Sequence, residues 1–446
     1  MTGEQSQIYA HLFGSGRFTF SHNWQWGFDT QITSNDTYLK RYDIWQFDRM
    51  VNDLFMVGES GRSRFAVTGY FFQGLRATDD NRTFPIALPL IEYTYIPLHK
   101  WAGGQFRMDV NTVALSRDIG ANDQRMTAEA RWRVPYVAGD GELWTLQLDA
   151  RGDLYHTDTP LPLPSDSHFI GRGLPYAALD WRWPFITTGK GGKSFVVEPI
   201  AQLIAAPYAG SQTKIPNEDS FNLEIDENNI FSFDQVPGYD LAESGPRGNF
   251  GVRGEARFST GYVEALVGET FRLKEDPIFA TGTGLTGTRS DIVGRFSIKF
   301  PPYLDLTHRI DIDAEAGKVR RNEVYLTGIY GRTSTQISYI QLAPALGLAA
   351  REEVNAQMDV NFYQNWQAFA AIRRDLIADQ TLDNEFGLGY EDECLGISVA
   401  YRRKYISDRD LPPSTSIILR LNLKTTDQAI QAFSLFPQDV FSYTHP

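Results

Sequence analysis

The stretch EDECLGISVAYRRKY, which starts at Glu391, holds the only cysteine of the chain, Cys394. A single thiol cannot close a bridge within its own chain. Two readings stay open: an inert small residue at a strand start, or half of a bridge to a segment outside this sequence. The seven histidines (His11, His22, His99, His156, His168, His308 and His445) are scattered, without the close pairs that zinc sites use. A Ser/His hydrolytic site would have to be assembled from distant strands, and no local motif supplies its nucleophile. GTGLTG at residues 282–287 fits GxGxxG. A dinucleotide site, however, needs a strand before the glycines and a helix after them, so that the pyrophosphate meets the helix N-terminus. Alternating stretches flank this one instead. The acidic run EDSFNLEIDENN offers Glu218, Asp219, Glu224, Asp226 and Asn228 as hard oxygen ligands, but lacks the ordered spacing and turn glycine of a calcium loop. It reads as a solvated loop face. No catalytic centre, cofactor or resident metal is expected.

The elements that position these residues must therefore carry the function. The chain has 446 residues, with 42 Lys+Arg against 55 Asp+Glu, and the resulting charge of −13 argues against a nucleic-acid partner. Aromatic residues make up 13%, too many for a disordered chain. No apolar run approaches the ~18 residues that would mark a membrane-spanning helix. A mean hydropathy of −0.33 suits a soluble protein, or a β-barrel whose strands alternate polar and apolar residues. The start, MTGEQSQIYAHLFGSGRF, has no basic, apolar or cleavage region of a signal peptide. That leaves a cytosolic protein or one whose N-terminal part is missing.

Period-two alternation recurs along the chain, and helical spacing is nearly absent. In NFGVRGEARF, Phe250, Val252, Gly254, Ala256 and Phe258 share one side, and Asn249, Gly251, Arg253, Glu255 and Arg257 the other. Phe386, Leu388 and Tyr390 likewise oppose Asp383, Glu385, Gly387 and Gly389. The runs mostly last ten residues or more. Strands of soluble proteins average about 5–6 residues, whereas membrane-crossing strands need about 9–11. Arg or Lys on a lipid-facing position costs roughly 2–4 kcal/mol at mid-bilayer, so Arg253 and Arg257 are expected to face a lumen. Pro199, which removes a ladder donor within FVVEPIAQLI, predicts an edge or a bulge.

Connection lengths alternate as well. Short turns are expected at EDE before Cys394, YQN at Tyr363, GRTS at Gly331, PPY at Pro301 and STG around Thr260. Longer links lie between them, and residues 207–245 form the longest. Outer-membrane barrels alternate short periplasmic turns with long surface loops in this way. The count is about 21 strands, an awkward odd number for a single-chain bacterial barrel. The fold expected is all-β: a large antiparallel transmembrane β-barrel of about 20–22 strands.

Several stretches carry a resemblance. SNDTYLKRYD, FPIALPLIEYTYIP, VVEPIAQLIAAPY, PNEDSFNLEIDENNIFSFDQVPGYDLAESGPRGNFGVR and YEDECLGISVAYRRKY resemble, in order, the barrel of the lipopolysaccharide-assembly outer-membrane family LptD. Residues 216–253 are the most specific part, the early strands the least. The resemblance implies a barrel of about 26 strands that delivers lipopolysaccharide to the outer leaflet through its lumen and a lateral seam between first and last strands. It also implies an LptE-type lipoprotein inside the lumen and a periplasmic jelly-roll domain that meets the periplasmic Lpt bridge. The expected organisation is a barrel domain over residues 1–425 and a tail over residues 426–446, with the jelly roll and the first few strands absent from this chain. No enzyme activity is expected. A diffusion porin or receptor barrel is the alternative.

The resemblance assigns sites as well. Many members carry a Cys-Cys pair bridged to the periplasmic domain; Cys394 matches its second member and Glu393 stands where the first would be. The final strand becomes the seam edge: Ser416, Ile417, Leu419, Arg420, Leu421, Leu423 and Lys424, with the aliphatic residues toward lipid. Arg420 and Lys424 are placed to meet phosphates or anionic sugars, or simply to be hydrated. The long loop, with Pro216, Asn217, Glu218, Asp219, Asp240 and Gly245, is expected to fold over or into the barrel mouth, where it would position the lipoprotein or close the exit.

Overall fold

The computed structural model describes residues 9–423 except 43, 46, 159–166, 211, 213, 222, 346 and 409–410. Apart from one helical turn, α1 (Tyr38–Arg41), and a 3-10 turn at Asn81–Thr83, the described elements are strands. In chain order they are β1 (His11–Ser21), β2 (Trp24–Thr33), β3 (Arg49–Ser60), β4 (Ser63–Gly74), β5 (Ile86–Tyr95), β6 (Gln105–Ser116), β7 (Asn122–Val137) and β8 (Leu143–Asp158). There follow β9 (Ser167–Arg182), β10 (Phe185–Thr188), β11 (Ser194–Ala205), β12 (Arg247–Arg257), β13 (Tyr262–Arg272), β14 (Ile292–Phe300) and β15 (Leu304–Ile312). The last are β16 (Val319–Tyr330), β17 (Thr333–Leu342), β18 (Arg351–Tyr363), β19 (Trp366–Asp375), β20 (Gln380–Glu391), β21 (Leu395–Lys404) and β22 (Ser414–Leu423). The 22 strands belong to one sheet, and the pairs between successive strands are antiparallel.

Chain contacts separate two compact units, Met1–Pro184 with Glu198–Val252 and Gly268–Ser290, and Phe185–Val197 with Arg253–Val267 and Asp291–Pro446. In the first unit β1 to β9 follow one another as a meander. β7 and β8 pair from Asn122↔Asp158 to Val137↔Leu143 without a register shift, and β8 and β9 do the same. In the second unit β14 to β22 form another meander, with short turns at residues 301–303, 331–332, 364–365 and 392–394. These are the turns expected from PPY, GRTS, YQN and EDE.

The faces are sorted the opposite way from a soluble sandwich. Along β8, Asp149, Arg151, Asp153, Tyr155 and Thr157 are buried, while Leu146, Leu148 and Leu154, on the alternate phase, are exposed. In β20, Phe386 and Leu388 are outward and more than half exposed, and Glu385 is paired with Arg402. Leaving aliphatic side chains in water forfeits roughly 1.5–3 kcal/mol each, so this outer surface is built for hydrocarbon. Arg253 lies on the other face, 2.7 Å from Glu264, as the alternation requires.

Pro199 lies at neither an edge nor a bulge: β11 has neighbours on both sides, and the register is the same before and after the proline, so the lost donor leaves only a gap in the ladder. β9 pairs with β11 only as far as Arg182↔Ile200, and β10 pairs with β11 from Phe185↔Val197 onward. Trp183 and Pro184 interrupt what would otherwise be one long strand, which explains 22 strands where the alternation gives about 21.

Candidate functional site

The candidate site lies in the first unit, where the long link between β11 and β12 packs on the polar face of β7, β8 and β9. Register makes that face a grid. Arg125 lies opposite Tyr155, Thr127 opposite Asp153, Glu129 opposite Arg151, and Arg131 opposite Asp149. β9 adds Arg172 opposite Asp153 and Tyr176 opposite Asp149. Buried charges of this kind need partners, and the loop supplies many of them.

Arg125 is the central clamp. Its Nη1 donates to Asp219 Oδ2 at 2.7 Å and to Asp240 Oδ1 at 2.5 Å, and its Nη2 donates to Asn111 Oδ1 at 3.1 Å. Its guanidinium also stands 5.1 Å from the Tyr239 ring centroid. Arg172 Nη2 and Tyr155 Oη both donate to the Tyr239 carbonyl at 2.9 Å, and Arg151 donates to the same oxygen. Arg172 Nη1 further donates to the Asp240 carbonyl at 2.8 Å and to Gln212 Oε1 at 2.5 Å. Tyr176 Oη donates to the Glu243 carbonyl at 3.0 Å. Glu243, fully buried, pairs with Arg247 of β12 at 3.2 Å and with Arg272 of β13 at 2.5 Å. Five strands, β7, β8, β9, β12 and β13, thus fasten one stretch, residues 239–243.

The loop is also folded upon itself. Its two stems meet where Gly245 N donates to Pro207 O at 3.0 Å. Asp219 Oδ1 accepts from the backbone N–H groups of Tyr239 (2.9 Å) and Asp240 (3.1 Å). Asp240 Oδ2 accepts from those of Glu218 (2.6 Å) and Asp219 (3.1 Å). Gly238 makes this reciprocal turn possible. Its φ is +78°, and a Cβ there would lie 2.6 Å from the Asp219 backbone oxygen, so any other residue would be strained and would clash.

Electrostatics follow from burial. Burial pushes the Asp240 carboxyl up to about 6, with Arg125 opposing and Asp219 adding to the rise. Burial likewise raises Asp234, to about 6, helped by Glu243. For Asp219, burial is outweighed by Arg125 and the two backbone donors, and the carboxyl is held below its ordinary value. Beneath the loop, Asp123 of β7 is buried, and neither carboxylate oxygen meets a hydrogen-bond donor among the described residues.

The expected loop residues are all brought into this assembly. Pro216 leads into it; Asn217 bonds both ways with the Ser220 backbone at 2.8 Å; Glu218 pairs with Arg117 at 2.7 Å. Asp226, offered by the sequence as a cation ligand, accepts from the backbone N–H groups of Asn228 (2.8 Å) and Asn229 (2.9 Å) and shapes a turn. No group of three acidic, His or Cys residues suited to a metal occurs among the described residues. The strand arginines Arg125, Arg151 and Arg172 were not singled out from sequence; their signal is Arg on the polar phase of three unusually long alternating strands.

The final strand belongs to the second unit. β22 pairs with β21 from Leu395↔Leu423 to Lys404↔Ser414, placing Ser416 opposite Arg402. Ile417, Leu419, Leu421 and Leu423 are 79, 70, 63 and 71% exposed. Arg420 Nη1 is 3.4 Å from Glu385 Oε1, so an acidic partner two strands away already faces it. Lys424 lies outside the described residues, as do residues 426–446. Cys394 is a free, exposed thiol in the short turn between β20 and β21. That turn is held by Asp392 Oδ1, which accepts from Cys394 N at 2.9 Å and Leu395 N at 2.8 Å.

A family model for LptD, described as LPS transport system D, matches residues 7–366. The chain belongs to the LptD family. LptD membership and the inverted strand faces together make it an outer-membrane β-barrel of lipopolysaccharide transport. No described helix is long and apolar enough to cross a membrane. Among solved structures this LptD chain is similar to the ferric citrate transporter FecA in the unliganded form, at 8% identity over 92% of this chain and 69% of that one, with a TM-score of 0.34. It is also similar to BauA, the ferric preacinetobactin receptor from Acinetobacter baumannii, at 9% identity over 85% and 72%, TM-score 0.34. A third is the pyoverdine receptor FpvA from Pseudomonas aeruginosa PAO1, at 11% identity over 84% and 69%, TM-score 0.30. No curated protein matches the LptD chain.

Proposed function

We propose that this chain inserts lipopolysaccharide into the outer leaflet, with sugars and phosphates travelling over the charged inner faces and acyl chains leaving through a lateral seam edged by β22. The family match carries this reading. The inverted strand faces support it physically, since one wall offers hydrocarbon contact outside and hydrogen-bonding groups inside. Every backbone donor and acceptor in a membrane-spanning sheet must be paired, so cargo can leave sideways only where a strand pair opens. Ile417, Leu419, Leu421 and Leu423 would give acyl chains an apolar rail along such an edge.

In this reading the loop fastened by Arg125, Arg151 and Arg172 organises the barrel mouth, and an LptE-type lipoprotein docks within. The test is deletion of residues 216–243 in the complete protein, which brings the stems near their existing Pro207–Gly245 bond. Lipopolysaccharide delivery to the cell surface and the yield of the lipoprotein complex are then measured. Loss of either with strand content retained is the expected result. Normal delivery with normal complex yield would remove the loop from the mechanism, and steady ion conductance through the intact protein would favour a diffusion porin.

A further inference from the structure

A second built feature lies at the short-turn end of β2 to β5, in the first unit and on the opposite side of the strands from the loop network. Register places Trp24 opposite Gly58, Gly58 opposite Phe65, and Phe65 opposite Tyr93, a row at one height across four strands. The rings touch in sequence. Trp24 and Phe65 are edge to face at 6.1 Å, Phe65 and Tyr93 are tilted at 6.5 Å, and Phe20 extends the row to Trp24 at 6.3 Å. Gly58 is what lets the row close: a Cβ there would lie 2.6–2.7 Å from the Trp24 indole. The ring therefore lies flat against the strand.

These residues share the phase of Leu54, Met56 and Phe71, all exposed and apolar. The row is thus an aromatic girdle at the edge of the hydrocarbon. Beyond it, toward water, a groove of about 810 Å³ opens between the β3–β4 turn and the link from β5 to β6. Trp24, Phe65 and Tyr93 line it, together with Arg62, Leu98 and His99. Arg62 lines the groove, and its Nη1 donates to a neutral group, Gln105 Oε1, at 2.9 Å. The other charged residues at the groove are Glu59 and Arg64, which face each other across the β3–β4 pair. Arg64 also lies 3.8 Å from Glu92.

We propose that this groove binds one glycerophospholipid of the leaflet on the short-turn side, its phosphate on Arg62 and its acyl chains descending over Phe65 and Tyr93. Charge complementarity and position select the occupant. A guanidinium binds phosphate through two parallel donors, and the adjoining wall is apolar in the direction acyl chains must run. The inference rests on the strands facing lipid, not on the transport route proposed above. Loss of lipopolysaccharide delivery would therefore leave it untouched.

The experiment uses the intact protein in detergent, titrated with phosphatidylglycerol or with lipid A and read by native mass spectrometry. The variants are Arg62→Gln and Lys100→Gln, the latter removing a cation of the β5–β6 link that does not line the groove. Heat-modifiable gel mobility confirms that each is folded. The expected result is one saturable phosphatidylglycerol, weakened about ten-fold by Arg62→Gln and unchanged by Lys100→Gln. Equal weakening by both variants, unchanged binding in Arg62→Gln, or preference for lipid A over phosphatidylglycerol would each overturn the assignment.

Discussion

Replacing Arg125 with methionine is the sharpest probe of the loop network. The side chain keeps its stem but loses the cation that Asp219 and Asp240 share at 2.7 and 2.5 Å. Asp240 is fully buried and Arg125 nearly so, so solvent screens little of the loss. Breaking a buried pair by removing one partner costs about 3–5 kcal/mol, because the remaining charge stays behind without compensation. At ~1.4 kcal/mol per power of ten, amide exchange protection of residues 217–243 should fall about a hundred-fold or more. Protection in β14–β21 should not change. Asp240→Asn in the same background removes one stranded charge and should restore part of the protection, because removing both partners leaves less uncompensated than removing one. Hydrogen exchange with mass spectrometry on the detergent-solubilised protein reads all three states. Loop protection within about three-fold of wild type in Arg125→Met would mean that the grip on Tyr239 and Glu243 alone holds the loop, and the clamp argument would be wrong.

Two further outcomes are expected. Asp234 and Asp240 are both raised to about 6 in the docked loop, against about 3.9 for a free aspartate. The docked state therefore binds more protons than the released one, and docking strengthens as pH falls through 6. Asp219, held low, stays ionised across that window, so protease cleavage within the loop should slow between about pH 7.5 and pH 5.5 once enzyme activity is corrected; acceleration would contradict the assignment. In the complete protein, Cys394→Ser should change mobility on a non-reducing gel if the exposed thiol is bridged to the periplasmic domain. Identical migration would leave it as a small turn residue.

Strand phase and turn position were legible because both are local. Lipid outside a strand and water inside enforce a two-residue period, and NFGVRGEARF and YEDECLGISVAYRRKY carry it openly. Short turns at residues 301–303 and 392–394 follow from where the alternation stops. The break at Trp183 and Pro184 was hidden because Pro199, on the partner strand, is the louder signal. Helix α1 was hidden too. It is a single turn inside SNDTYLKRYD, started by Asn35 Oδ1 accepting from Thr37 N and Tyr38 N at 3.1 and 3.0 Å, too short to leave a helical period. Nor could sequence show that Arg125 answers Asp219 and Asp240, which are 94 and 115 residues away along the chain. Both acids were singled out as loop residues; their partner sits in an alternating strand where charge reads as lumen hydration. Arg420 reads the same way, yet Glu385 stands beside it.

The bond between Gly245 and Pro207 has a consequence for how this protein can vary. It ties the two stems together before either enters a strand, so β11 and β12 keep their alignment whatever is strung between them. The segment is in effect a cassette held at its neck: it can be lengthened, shortened or exchanged for a reporter without re-registering the wall. What it cannot lose without letting go is the stretch from Tyr239 to Glu243.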